Sequence, residues 1–194
     1  MNQTDVKSRP AGIGQYLLGL VQVILNPRQG WLDAEKDNYS AKELIVKGVL
    51  PFLIIVALSP LVSAYFKLSM SYHDAIIEGV IQFSGYFVSI YLCNFIFSWA
   101  LGRWIQPRRQ DPNAVMTYVL YTVSAMAFIT LLTNILPVDL SLWSFLPLYV
   151  VYIIWRGEQY MRIPYDRKPQ FLACGVLCIF VPPYVLTYCL SLIV

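Results

Sequence analysis

Residues 48–66 read GVLPFLIIVALSPLVSAYF, nineteen in a row without Asp, Glu, Lys, Arg or His. Four more charge-free runs follow, at 79–102, 112–138, 140–155 and 169–194. A bilayer's hydrocarbon core of roughly 30 Å takes about 20 helical residues to cross. Four of the five runs reach or approach that length, and 140–155 is the shortest. With 58% apolar residues, 13% charged and a mean hydropathy of +0.58, the chain reads as an all-α polytopic membrane protein. The expected layout is five transmembrane helices plus a short N-terminal amphipathic helix.

The apolar runs take up most of the 194 residues. Only the first forty-odd residues and the short loops are left for water, too little for a soluble catalytic domain. Residues 1–43 are therefore expected to form a cytoplasmic N-terminal region, and 44–194 a five-helix transmembrane domain. The opening MNQTDVKSRP is polar and precedes no h-region with a small-residue cleavage site, so no cleaved signal peptide is expected. The first span would act as its own insertion signal.

Within the N-terminal region, IGQYLLGLVQVIL (13–25) has helical periodicity. Ile13, Tyr16, Leu17, Leu20 and Ile24 share one side, with Gln15, Gly19 and Gln22 on the other. At about 20 Å it is too short to cross. Its polar side carries no Lys or Arg, so it should lie in the interface or against the bundle. Asn26-Pro27 ends it, and Trp31 then reads as an interfacial anchor. The sequence Ser40-Ala41-Lys42-Glu43 has the pattern of a capping box before span one, about 44–66, with Lys47 placed to snorkel. Ser71 and Asp74 repeat that pattern before span two, about 75–104. Asp111-Pro112 opens span three, about 113–136. Span four is placed at about 140–155, bracketed by Trp143 and Trp155, and span five at about 171–194.

Charge distribution tests this layout independently. With the N-terminus inside, Lys7, Arg9, Arg28, Lys36, Lys42 and Lys47 fall on the cytoplasmic side. So do Arg103, Arg108 and Arg109, and Arg156, Arg162, Arg167 and Lys168. That is thirteen of the fourteen basic residues, with Lys67 alone outside. The skew follows the positive-inside rule and places the C-terminus outside, in a cell membrane. It also favours five spans, since removing span four would put the 156–168 cluster outside.

Few residues invite chemistry. No phosphate-binding glycine loop, zincin motif or nucleophile elbow occurs, and the only histidine, His73, pairs with Asp74 in an expected loop. Cys174 and Cys178 share a helical face, but structural zinc takes four ligands, so no metal or cofactor is expected. Cys93 and Cys189 lie in apolar runs as small hydrophobes. Lys47 and Glu78 approach the hydrocarbon only near helix ends, so a midplane proton relay lacks its carboxylates. Asn94 and Asn134 are the deepest strongly polar side chains, and inter-helix hydrogen bonding is their commoner use. Pro51, Pro60, Pro147 and Pro182-Pro183 should bend the spans. Gly85 with Ser89, and Ser98 with Gly102, would let helices approach closely. Nucleic acid is excluded as a partner, because the basic residues lie at the membrane and the N-terminal tail is neutral.

Two stretches resemble the Yip family of Ypt/Rab-interacting polytopic membrane proteins, in its bacterial branch. The first is Asn26-Pro27-Arg28-Gln29-Gly30-Trp31, followed by Leu50-Pro51. The second is Leu148-Tyr149-Val150-Val151-Tyr152-Ile153-Ile154-Trp155-Arg156-Gly157, continuing to Tyr160-Met161-Arg162-Ile163-Pro164. The resemblance implies an integral membrane protein without catalytic residues, in a bacterial inner membrane. Its marker positions here are Pro27, Trp31, Pro51, Tyr149, Gly157, Met161 and Pro164. Eukaryotic relatives bind prenylated Rab GTPases, but the long acidic, proline-rich tail often found in trafficking members is lacking here.

The leading expectation is a non-enzymatic, Yip-like protein that organises membrane or scaffolds partners at its cytoplasmic face, through 13–31 and 157–164. Its partners would be membrane lipids and either a protein at that face or a second copy of the chain. The alternative is a small transporter, channel or lipid-handling protein with a polar site near Asn94 and Asn134. An enzyme acting on lipid would need acidic, His or Cys groups clustered at one interface, and the sequence places none there.

Overall fold

The computed structural model describes residues 12–37, 39–66, 71–105, 107, 111–136 and 145–192, and among these there is no strand. Seven helices follow one another: α1 (Ile13–Leu25), α2 (Pro27–Asp37), α3 (Ala41–Phe66), α4 (Tyr72–Ile105), α5 (Pro112–Ile135), α6 (Leu146–Arg156) and α7 (Tyr165–Ser191). Four of them, α3, α4, α5 and α7, are long and apolar enough to cross a membrane. The protein is thus an all-α polytopic membrane protein, and its expected spans one, two, three and five correspond to these helices. The segment expected as span four differs. Its described helix is the eleven residues of α6, a rise of about 16 Å and short of the hydrocarbon thickness. Residues 140–144, with the expected anchor Trp143, lie outside the described residues.

Helix α5 occupies the middle. Every residue from 117 to 127 is buried, which a helix with one outward face cannot manage. Two thirds of its apolar window is buried, 67%, against 33–39% for the other three long helices. Those three turn side chains such as Ile54, Leu58, Phe95, Leu177 and Val185 outward, the apolar exterior that a lipid surrounding accommodates. Close crossings occur where side chains are smallest. A Cβ on Gly79 of α4 would sit 2.2 Å from the Ala57 carbonyl oxygen of α3, and one on Gly85 2.8 Å from Thr187 Oγ1 of α7. Gly102, expected at another crossing, has open space instead.

The prolines are accommodated, each with an identifiable device. A proline in a helix lacks the N–H for the carbonyl four residues back, and its ring collides with that carbonyl. Immediately before Pro51, residues 45–49 widen into a π turn, with Leu50 N–H bonding the Ile45 carbonyl five residues back. The same π turn, residues 176–180, precedes Pro182-Pro183, with Val181 N–H on Val176 O. Such single turns absorb an extra residue and move the obstructing carbonyl aside. Pro60 uses a side chain instead. It leaves the Val56 carbonyl without its usual donor, and Ser59 Oγ donates to that carbonyl at 2.7 Å.

Helix starts show two corrections. Asp111 caps α5 as its type suggests, its carboxylate accepting from Asn113 N–H at 3.0 Å. Ser71 likewise accepts from His73 N–H at 3.2 Å, so His73 and Asp74 form the first turn of α4, not a loop. The expected box at Ser40–Glu43 does not form. Ser40 makes no side-chain cap bond, and Glu43 pairs with Lys47 at 3.3 Å. The amide of Asn113 takes over the start of α3: its Oδ1 accepts from Ala41 N–H at 2.6 Å and its Nδ2 donates to Tyr39 O at 3.0 Å. A partner on α5 satisfies one orphan amide and ties the two helix starts together, which the local box cannot do. Asn113→Ala is accordingly expected to lower stability by about 1–2 kcal/mol, the net worth of two hydrogen bonds. Ser40→Ala should be near neutral, where an N-cap serine ordinarily costs about 1 kcal/mol. Thermal unfolding of the detergent-solubilised protein compares the two, and a larger loss for Ser40→Ala would restore the local cap.

Candidate functional site

The two stretches singled out in the sequence, 26–31 and 148–164, meet on the side of the bundle that carries the basic residues. Asn26-Pro27 does more than end α1. Asn26 Oδ1 accepts from Gln29 N–H at 3.4 Å and Pro27 takes the first helical position, so the pair also opens α2, a helix absent from the sequence reading. Gly30 then lets α2 lie directly on α1, since a Cβ there would stand 2.5 Å from Val23 Cα. The result is a tight antiparallel hairpin, held on its polar side by Gln22 Nε2 donating to Asp33, which also accepts from Gln29 Nε2 at 3.0 Å.

Trp31 is not an interfacial anchor. It is 1% exposed, with ring centroids 5.0 Å from Tyr118, 5.3 Å from Tyr160 and 6.1 Å, edge-on, from Tyr121. Its Nε1 donates to the Ile153 carbonyl near the end of α6 at 3.2 Å. A buried indole needs such an acceptor, and the Ile153 oxygen, which also accepts from Gly157 N–H at 3.2 Å, has a second lone pair for it. Tyr149 mirrors this bond: its hydroxyl donates to Ile24 O, in the last turn of α1, at 2.7 Å. Each helix end is thus capped by an aromatic side chain of the other stretch.

The remaining marker positions close the same joint. Gly157 is required by Tyr118, whose ring would lie 2.1 Å from a Cβ at that position. Beyond α6 the chain makes a turn ending in left-handed Arg162, φ 52°. Ile163 N–H bonds Glu158 O at 3.0 Å and Arg162 N–H bonds Gln159 O at 3.1 Å, the paired bonds of a Schellman motif. Arginine is an unusual residue in that conformation, and here its guanidinium reaches Glu35 of α2 at 2.7 Å. Met161 is fully buried inside the turn, and Pro164 follows where no further helical bond is needed. Pro27 is buried at the hairpin, while Pro51 lies away from this joint, one turn beyond the π turn of α3.

Helix α1 docks through Tyr16, Leu20 and Val23. Tyr16 stacks on Tyr121 at 5.4 Å, and its hydroxyl donates to Ser124 Oγ at 2.5 Å. Burial holds this phenol well above its usual pKa, so it remains a donor. The expected amphipathic orientation is refined here. Gly19 lies under the Tyr121 hydroxyl and Gln22 faces α2, so much of the polar side is covered. The outward side carries Leu18, 71% exposed, Leu25, 77% exposed, and Val21 between them, with Gln15 exposed one turn before Leu18.

Asn94 and Asn134 are not brought together. Asn134 Nδ2 donates to Ser59 Oγ at 2.8 Å and Gln82 Oε1 at 3.2 Å, and Gln82 Nε2 donates to Glu78 at 3.0 Å. Asn94 is twelve residues from Gln82 along α4, about 18 Å, with a buried Oδ1 that has no partner among the described residues. Asn134 is therefore a strut among α3, α4 and α5. Cys174 and Cys178 sit with Sγ atoms 3.7 Å apart, and Cys93 Sγ lies 3.6 Å from Ile179 O. Among the described residues no three His, Cys, Asp or Glu side chains gather as metal ligands.

Comparison with protein-family models, curated proteins and solved structures finds no match to this chain. Tyr118 and Tyr121, which the sequence did not single out, supply much of the joint beside Tyr16 and Tyr160. Trp31→Ala should cost about 3–5 kcal/mol through the void and the lost indole donor. Trp31→Phe should cost less. Denaturant unfolding in detergent, with proteolysis of the 12–40 hairpin as second readout, measures both. A hairpin equally resistant in Trp31→Ala and wild type would contradict the joint.

Proposed function

We propose that this integral membrane protein is a non-enzymatic, Yip-like organiser of the leaflet on its basic side. The single observation that carries the reading is the outward apolar face of α1. A thirteen-residue helix is fastened by Tyr16, Leu20 and Val23 to the bundle and by Gly30 to α2, yet turns Leu18, Val21 and Leu25 outward. An apolar face on a helix too short to span occupies acyl-chain space in one leaflet only, and such one-sided insertion favours curvature or local lipid ordering. The two Yip-resembling stretches support the same reading, because they form the joint that holds this helix in place. The charge distribution puts that joint, with Arg156, Arg162, Arg167 and Lys168, on the cytoplasmic side, with the N-terminus inside after the positive-inside rule. Five passes agree with the return of α6 to that side. The scaffolding role at the cytoplasmic face would use the exposed surface of α2 and the 157–164 turn. The transport alternative is weaker, because the Asn134 amide is taken up in bonds between helices.

Reconstitution tests the proposal. Wild-type protein at high density should narrow or tubulate vesicles seen by electron microscopy. A Leu18→Gln, Leu25→Gln double variant, which leaves the docked face intact, should lose most of that effect at equal incorporation. Equal remodelling by both proteins, or none by the wild type, would refute the proposed role.

A further inference from the structure

We infer that the cleft between the basic-side ends of α4 and α7 is a binding site for an anionic glycerophospholipid. It is a surface separate from α1 and stands without the reading above. The cleft has a volume of about 450 Å³, within the range of small-molecule sites. Its mouth is polar, formed by Arg103 of α4 with Arg167 and Gln170 of α7. Its floor is apolar, formed by Ala173, Cys174 and Leu177 of α7, while Trp104 of α4 makes one wall.

Three features select the occupant. The first is charge. Arg103 is exposed and makes no ion pair among the described residues. Arg167 is braced, its Nη1 donating to Trp104 O at 2.6 Å and its Nε to Asp166 Oδ2 at 3.3 Å, and its Nη2 has no acceptor among the described residues. Among the described residues Asp166 is the carboxylate that pairs with Arg167, while Glu158 pairs with Lys168 at 2.8 Å. The mouth keeps a net positive charge, which complements a headgroup with net negative charge. The second feature is level. Arg103 and Arg167 sit at the ends of two membrane-crossing helices, and Trp104, 53% exposed, presents an amphipathic ring beside them. That combination matches the phosphate and glycerol depth of a leaflet. The third is the strip below. Gln170, Ala173, Cys174 and Leu177 follow the i, i+3, i+4, i+7 spacing of one helical face, so the groove continues along α7 as an acyl chain would. A free anion would leave that strip unused, and a zwitterionic lipid would leave the mouth's charge uncompensated.

The test is native mass spectrometry of the full chain in detergent, titrated with dioleoyl phosphatidylglycerol or dioleoyl phosphatidylcholine. The wild type should retain phosphatidylglycerol at least about tenfold better. Arg103→Gln, which removes no contact within the chain, should reduce that preference roughly fivefold, the effect of one basic residue near an anionic surface. Arg103→Gln with Arg167→Gln should abolish it. Ala173→Trp, filling the strip, should weaken retention of both lipids. Arg28→Gln, an exposed basic residue on α2, should change nothing. Four results would each overturn the site: equal retention of the two lipids by the wild type, an unchanged preference in Arg103→Gln, a loss in Arg28→Gln as large as in Arg103→Gln, or competition by glycerol phosphate as effective as by the whole lipid.

Discussion

Tyr118, on the central helix and fully buried, touches four of the helices that meet on the basic side. Its ring lies 5.0 Å from Trp31 of α2, 5.5 Å from Phe97 of α4 and 5.8 Å from Phe171 of α7, and its hydroxyl donates to Ile154 O of α6 at 2.9 Å. A phenol placed so far from water must find an acceptor or lose several kcal/mol of hydration. The acceptor it finds is the Ile154 carbonyl at the end of α6, which it shares with Gly157 N–H at 3.1 Å, and Gly157 leaves room for the ring beside that end. Four helices and the hairpin therefore share one constraint. Any shift of α6 that broke the Tyr118 bond would also move Ile153 away from Trp31, since the two carbonyls are consecutive.

The same economy of backbone groups explains the opposite side. In a hydrocarbon surrounding, a carbonyl deprived of its donor by proline has no water to turn to. Ser59 covers the Val56 carbonyl left by Pro60, and its oxygen then accepts from Asn134, which also reaches Gln82. A defect in one helix is thus converted into a cross-link among three. A π turn precedes both Pro51 and Pro182-Pro183, and the Cys93 thiol also reaches Ile179 O, the carbonyl that Pro183 cannot bond, at 3.6 Å. Asn134 is deep and polar for a structural reason, and this removes the main argument for a conduit at that position.

What could be read from the sequence divides along physical lines. The long apolar runs and the Asp111 cap were legible because length, hydropathy and a local side-chain bond decide them. Trp31 was misplaced because an indole beside a membrane segment looks the same whether its N–H meets a headgroup or Ile153 O, 122 residues away. The Ser40 box failed for a related reason. Its pattern is local, and a better donor–acceptor pair on Asn113 competes successfully for the same amide. Helix α2 was missed because Asn-Pro reads equally as a stop and a start, and PRQGWLDAEKD has too few apolar residues to announce a buried face. Of the seven marker residues, Pro27, Trp31, Tyr149, Gly157 and Met161 fall at one joint, while Tyr118 and Tyr121, which help to complete it, stand in an apolar run with no signal of their own.

The hairpin's role follows from the burial of α5. Its stretch from 117 to 127 has no outward face, and the long helices alone do not close the side occupied by Tyr121 and Ser124. Tyr16 and Gly19 of α1 cover that side, with Gly48 of α3 leaving space for the Tyr16 ring. Removing the hairpin would expose two hydroxyls and the Trp31 pocket to lipid, so α1 belongs to the core as fully as the spans do. Having taken that place, α1 inherits the condition of every outer helix in this protein: its remaining surface must be apolar. Leu18, Val21 and Leu25 meet it over most of that surface, with Gln15 exposed near the start of the helix, and in the proposed role such a helix, too short to cross, would fill lipid space on one side only. Whatever the protein does to its membrane, that asymmetry is built in by the need to cover the central helix.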